Sequence, residues 1–315
     1  MTAPKTAVLL LAHGSPETPA DVPEFLRLIT GGKPVPDSVI QEVTHRYEQI
    51  GHSPLLETTR QQAELLRDKI GMPVYVGMRN WRPFVADVVR DMATNGLTRA
   101  IVVCLAPQNS QTSVGLYRSA LFSAAAGTHI EIEFVESWHD HPELIAAFAE
   151  RLRPRWKQAC TEAGTEIPVI FTAHSVPMRT ITDGDAYAVQ ARETAKLVSR
   201  RVTELAETEV RFAFQSQGMS REPWIGPTVE ETILELKRSG HAGVLIQPIG
   251  FLCDHVEVLY DIDIGFKEFA EQQGMRLWRT ESLNESAKLT AALADVVCTA
   301  ARGARLQASA EHGDG

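Results

Sequence analysis

Leu11-Ala12-His13-Gly14-Ser15-Pro16 and Thr172-Ala173-His174-Ser175-Val176-Pro177 carry one pattern at two distant places in the chain. Each closes a short apolar run with Ala-His, and each sets a proline three residues after the histidine. A second echo pairs Pro107 and the later Leu116-Tyr117 with Pro248 and the later Leu259-Tyr260. Either echo alone is within the reach of chance. Together they indicate a structural unit used twice.

The surrounding sequence gives that unit its form. Short runs rich in β-branched residues fall at Thr6–His13, Pro73–Met78, Ala100–Ala106, Ile130–Ser137, Pro168–His174, Val210–Gln215, Gly243–Ile249 and Met275–Arg279. Helical patterns separate them, among them Pro83–Asn95, Ser113–Ala126, Pro142–Ala163, Ala186–Ala206 and Thr228–Ser239. Ser113 and Thr228 read as N-caps, and Gly96, Gly127 and Gly240 follow helix ends. Buried-type strands alternating with helices predict parallel sheets with crossover helices. The fold class expected is therefore α/β, two Rossmann-like domains, each a four-stranded parallel sheet flanked by helices. The expected division is 1–140 and 141–283, then a terminal helix over 284–305 packing back on the first domain and a disordered tail over 306–315. Ligands of such sheets bind beyond the carboxyl ends of strands, so His13 and His174 are expected to line one cleft.

Composition narrows the function. The 315 residues are 44% hydrophobic and 23% charged, as in a folded globular protein. A net charge of −9 argues against nucleic acid as a partner. The longest apolar runs are strand-sized, so no integral membrane segment is expected. The run after Lys5 is too short for a signal-peptide core, and the expected address is the cytoplasm. Cys104, Cys160, Cys253 and Cys298 are scattered with no CxxC pair, which gives no zinc, iron–sulfur or disulfide signature. No P-loop, dinucleotide or GxSxG pattern occurs; Gly31-Gly32-Lys33 is followed by Pro34.

Two places can carry chemistry. A histidine at a strand's carboxyl end, such as His174, is expected to be a neutral imidazole that accepts a proton or binds a borderline metal. It could equally bond a neighbouring loop. The stretch Pro248 to Asp261 supplies Asp254, His255, Glu257 and Asp261. A helix from about Asp254 would stack Asp254, Glu257 and Asp261 on one face, a costly arrangement unless a cation or protons are handled there. The helix dipole accounts for Asp254 without any function, and for Glu257 less well. His139-Asp140-His141 could chelate a metal or be a solvated loop.

At this point the residues resemble a family. His13-Gly14-Ser15-Pro16, Arg46 to Leu55, Gly77-Met78-Arg79-Asn80-Trp81, Phe171 to Pro177, Gln215-Ser216-Gln217, Pro223 to Pro227 and Pro248 to Asp261 resemble, in order and spacing, the ferrochelatases, the class II chelatases. The resemblance implies two halves around a porphyrin cleft and insertion of Fe²⁺, a substrate, to form haem. It implies that His174 is the metal-and-proton histidine, with Glu257 facing it across the macrocycle and Asp261 further along a metal or proton path. His13, Arg46, Tyr47, Ser53 and Tyr117 match positions that touch the porphyrin or its propionates. Arg46 would clamp a propionate, or else sit in a surface ion pair.

The departures are informative. His13 stands where some relatives using coproporphyrin III carry a tyrosine, and a histidine there can also ligate iron. Thr30 replaces a basic residue that Arg27 or Lys33 could substitute for, and Gly265 replaces a carboxylate of the acidic row. The cysteine set of cluster-bearing relatives is absent, so no iron–sulfur cluster is expected. Arg79-Asn80-Trp81 and the short loop before Pro54 resemble the coproporphyrin III branch, with protoporphyrin IX the alternative substrate. A monomer is expected, with a haem-accepting protein as partner. A cobalt- or sirohydrochlorin-type chelatase and a non-catalytic haem carrier are the rival readings.

Overall fold

The computed structural model describes residues 5–218 and 222–311. Eight strands form where the apolar runs predict them: β1 Thr6–Ala12, β2 Val74–Met78, β3 Arg99–Cys104, β4 Glu131–Val135, β5 Val169–His174, β6 Val210–Gln215, β7 Gly243–Pro248 and β8 Arg276–Arg279. They build two four-stranded sheets of identical order, β2-β1-β3-β4 and β6-β5-β7-β8, with every pairing parallel. The helices are α1 Val22–Ile29, α2 Asp37–Ile50, α3 Leu55–Ile70, α4 Val85–Thr94, α5 Val114–Ala125, α6 Pro142–Ala163, α7 Met178–Thr182, α8 Tyr187–Arg201, α9 Val229–Arg238, α10 Val256–Leu259, α11 Lys267–Gln272 and α12 Ala287–Glu311. A π-helical turn, Asp261–Phe266, joins α10 to α11. Between β1 and β2, where the sequence pattern marks no helix, α1, α2 and α3 form. Tyr47 is the one buried residue of α2, so the apolar stripe that betrays a helix is weak there.

Alternation explains why the strands are apolar throughout. In β1, Val8 and Leu10 enter one core while Ala7, Leu9 and Leu11 enter another with α4 and α5. In β5, Val169, Phe171 and Ala173 face the first of these cores, and Ile170 faces a third with α9. The first core thus runs through both sheets and holds α6, α8 and α12. Helix α6, which follows the first sheet, packs on α8 and β7 of the second. Helix α12, which follows the second sheet, packs on α3, β3 and β4 of the first. The two halves therefore exchange helices.

Helix α12 runs to Glu311, so the stretch from 306 expected as a disordered tail continues the helix through 311. Residues 312–315 lie outside the described residues.

A polar seam also joins the halves. Gln108 donates to Thr194 at 3.2 Å and to the Ile249 carbonyl at 3.3 Å, and the Asn109 amide donates to Gln190 at 2.6 Å. Buried Asp185 accepts from the Gln111 amide at 2.6 Å, the Ser110 hydroxyl at 3.2 Å and the Tyr187 amide at 2.8 Å. One carboxylate thereby ties the loop that launches α5 to the start of α8. Asp185→Ala leaves the buried Tyr187 amide without its acceptor and unties the Gln111 and Ser110 loop, and the expected loss is about 1–3 kcal/mol in urea unfolding.

Candidate active site

Both sheets reverse winding direction between their first and third strands, and the loops beyond those strands carry the reactive side chains. His13 follows β1 and Tyr117 sits on α5 after β3; His174 ends β5 and Glu257 sits on α10 after β7. Two glycines permit the close approach. Gly14 has φ +88°, and a Cβ there would lie 2.8 Å from the Trp81 amide nitrogen. A Cβ on Gly250 would lie 2.8 Å from that of Ala173, so the turn after β7 must be bare to pass behind His174.

Glu257 is the centre of the cleft. Its Oε1 lies 3.4 Å from His174 Nε2 and its Oε2 lies 3.4 Å from His255 Nε2. In both rings Nδ1 faces a carbonyl, that of Ser175 for His174 and that of Cys253, at 3.0 Å, for His255. A carbonyl only accepts, so each Nδ1 carries the hydrogen and each Nε2 is turned to the carboxylate. Tyr187, buried behind, donates its hydroxyl to the His174 carbonyl at 2.9 Å. Trp224 tilts against the His174 ring at 6.4 Å.

These contacts set the protonation states. Enclosure by protein works to lower the His174 pKa, but the charge and hydrogen bond of Glu257, the Ser175 carbonyl and Asp261 outweigh it and push it up to about 9. Where the sequence suggested a neutral imidazole, the anion facing its second nitrogen favours the charged ring. Burial works to raise Glu257, but His174 and then His255 hold it well below the usual carboxylate range. Burial pushes Asp261 up, aided by the charge of Glu257 and opposed by the Ser216 hydroxyl and Arg46. His13 goes the other way: the surrounding protein lowers it, although the residue as a whole is exposed.

The remaining candidates lie in three settings. Tyr47 and Tyr117 are buried, burial pushes both phenols up, and both feel the charge of Glu257, as does His13. Tyr47 shares a hydrogen bond of 2.8 Å with Ser15. Arg46 reaches across from α2 to Asp261 at 3.3 Å, pairs with Glu42 at 2.5 Å, and stacks 5.2 Å over the Tyr260 ring. Its Nε is buried with no partner among the described residues. Ser53 is buried with an unpartnered hydroxyl and lines a hollow of about 550 Å³ with Glu17, Thr18, His52 and Glu57, which no other candidate lines.

The carboxylate row shrinks. Helix α10 begins at Val256 with His255 extended at its N-cap, so Asp254 lies outside it. Asp254 instead accepts from Arg279 at 3.3 Å, Ser282 at 2.7 Å and Asn284 at 2.9 Å. His139 and His141 part company, the first to Glu193 at 3.1 Å and the second to Asp295 at 3.0 Å. Among the described residues no group of three or more His, Cys, Asp or Glu side chains is placed to hold a metal.

Sequence reasoning gave no role to His255, Ser216, Asn80 or Tyr187. Ser216 donates to Asp261 and holds φ at 59°, a strained value for a residue other than glycine. Its position directly after β6 was the available signal. Asn80 bonds His13 at 2.9 Å, and nothing local in the sequence announces that pairing.

Two doubly wound units with an imidazole–carboxylate–imidazole group between their switch points define a chelatase-type protein. The fold is similar to that of SirB from Bacillus subtilis with Fe3+, at a TM-score of 0.59 and 13% identity, covering 96% of this chain and 98% of that one. The Ferrochelatase family model matches residues 5–301. The chain is 52% identical over 304 residues to the Ferrochelatase of Acidobacterium capsulatum, covering 92% of this chain and 93% of that protein. It is 32% identical to the Coproporphyrin III ferrochelatase of Oceanobacillus iheyensis over 96% of this chain and 99% of that protein. The chain belongs to the ferrochelatase family. It is a lyase-type enzyme of haem biosynthesis, and iron is its substrate. No helix among the described residues is long and apolar enough to cross a membrane.

The raised His174 pKa has a readable consequence. A group raised on folding contributes stability fully below its ordinary 6.5, and that contribution is lost as pH rises through about 9. In NMR titration His174 is expected near 9. Glu257→Gln should lower it, because burial is then opposed only by the Ser175 carbonyl and Asp261. A His174 value unmoved by Glu257→Gln would overturn the pairing.

Proposed function

We propose that this enzyme inserts Fe²⁺ into coproporphyrin III in the cytoplasm, with His174 as proton acceptor and metal ligand, Glu257 as its charge partner and Asp261 as the outlet for protons. The observation that carries the site assignment is the 3.4 Å pairing of His174 with Glu257 between the two switch points.

Metallation exchanges two pyrrole protons for one divalent cation, so the porphyrin core stays neutral overall. The resting imidazolium cannot accept a proton. Fe²⁺ arriving beside Glu257 replaces the imidazolium's charge and drives its proton off, which leaves His174 as a base for the first pyrrole proton. Asp261 is the nearest carboxyl whose pKa is raised rather than lowered, so it holds a proton more readily than Glu257 and passes it outward. Nε2 holds the cation or a proton but not both at once: as each pyrrole nitrogen takes over the metal, Nε2 accepts its proton and hands it to Asp261, so both pyrrole protons leave by one route.

Substrate choice rests on charge. Coproporphyrin III carries four propionates, protoporphyrin IX two. Arg46 brings a buried, unpartnered Nε to the cleft. Arg79 is partly buried, sits 5.7 Å over the Tyr117 ring, and has no carboxylate partner among the described residues. Arg27 and Lys33 stand exposed at and beyond the end of α1. Relatives named for coproporphyrin III support the same choice. Haem is reactive when free, so a protein that accepts it is part of this reading.

Anaerobic Fe²⁺ insertion into both porphyrins side by side is the test. Coproporphyrin III should turn over faster, and a preference for protoporphyrin IX would replace the proposed substrate. His174→Ala is expected to lower turnover by about 10²–10⁴ while porphyrin still binds. Undiminished turnover would remove His174 from the mechanism.

A further inference from the structure

His13 and His174 hold equivalent positions in the two halves, one after β1 and the other ending β5. Both direct Nδ1–H to the carbonyl of the next residue, Gly14 at 3.0 Å and Ser175 respectively. What distinguishes them is Nε2. For His174 it meets the carboxylate of Glu257. For His13 it meets Nδ2 of buried Asn80 at 2.9 Å.

The direction of that second bond follows from its neighbour. Asn80 Oδ1 accepts from Arg79 Nε at 3.1 Å, so the amide nitrogen is the atom turned to His13. An amide NH₂ only donates, so His13 Nε2 must accept. A neutral imidazole with its hydrogen on Nδ1 has one lone pair to offer a metal, and Asn80 already uses it. The arrangement is locked from several sides. The Arg79 amide donates to the Ala12 carbonyl at 3.0 Å and the Asn80 amide to that of His13 at 2.9 Å. The ring stands edge-on to Phe25 at 6.0 Å, and Phe25 stands edge-on to Trp81.

We infer that Asn80 is a positioning residue that caps His13 and withholds its Nε2 from iron, so that only the His174 side of the bound macrocycle offers a nitrogen to the metal. This rests on the reading that the porphyrin lies between the two histidines. Its chemical sense is product release. Axial imidazole ligation is how proteins retain haem, and an enzyme clasping iron from both sides would hold its own product.

The test adds haem to the wild-type chain, His13→Ala, Asn80→Ala and the double variant, with ligation read from absorbance and electron paramagnetic resonance. Wild type and His13→Ala should give one spectrum. Asn80→Ala should shift toward the low-spin form with an added imidazole, and the double variant should lose that shift. Loss of an axial nitrogen on going from wild type to His13→Ala would overturn the inference, as would an unchanged Asn80→Ala spectrum. Nitrogen-resolved NMR of the haem-free wild type tests the cap even where Asn80→Ala fails to fold. Neutral His13 with hydrogen on Nδ1 and Nε2 accepting supports it, and an unbonded Nε2 overturns it. If no form binds haem, the porphyrin reading falls and the proposed role with it, while the NMR result still shows whether the cap exists.

Discussion

A partly buried carboxylate gains from a compensating charge, and around Glu257 the partners are imidazoles rather than lysine or arginine. That choice matters because an imidazole can give up its charge within the ordinary range of pH and an arginine cannot. The pair of His174 and Glu257 is therefore a unit whose charge can change by loss of a proton. A permanent ion pair would have to be broken instead. The influence of Glu257 spreads through the cleft: His13, Tyr47, Tyr117, Tyr187 and Asp261 all feel its charge.

The scaffold gives this carboxylate a fixed address. Two sheets of the same strand order each open at the point where winding reverses, and the helices they exchange hold those openings in register. The buried Asp185 adds a polar tie at the same level, linking the loop before Tyr117 to the helix whose Tyr187 supports the His174 carbonyl. Packing and hydrogen bonding so act together to set the width of the cleft. A planar, rigid macrocycle needs such a gap set in advance, since a misplaced wall costs binding energy that the reaction could otherwise use.

The repeated unit places two histidines in equivalent positions, and their surroundings drive them apart. His174 faces an anion and is pushed toward the charged form, whereas His13 faces an amide donor and its proton affinity is lowered. The same residue on the same kind of strand end thus acquires opposite proton affinity. The difference comes from one neighbour on each side, Glu257 from the loop after β7 and Asn80 from the loop after β2.

The amino-acid sequence by itself determined the eight strands, their division into two parallel sheets, and the histidines at strand ends, because period and punctuation are local properties of a chain. It also marked His174, Glu257, Asp261 and Arg46 through family resemblance, and all four lie around the cleft. Only the tertiary structure decided that Asp254 leaves the carboxylate row for Arg279, that Arg46 meets Asp261 across 215 positions of sequence, and that His255 grips the second oxygen of Glu257. It alone decided that the proton affinity of His174 is raised and that of His13 lowered. The reason is physical: a charge state depends on what stands within a few ångströms, and those neighbours come from loops that are remote in sequence.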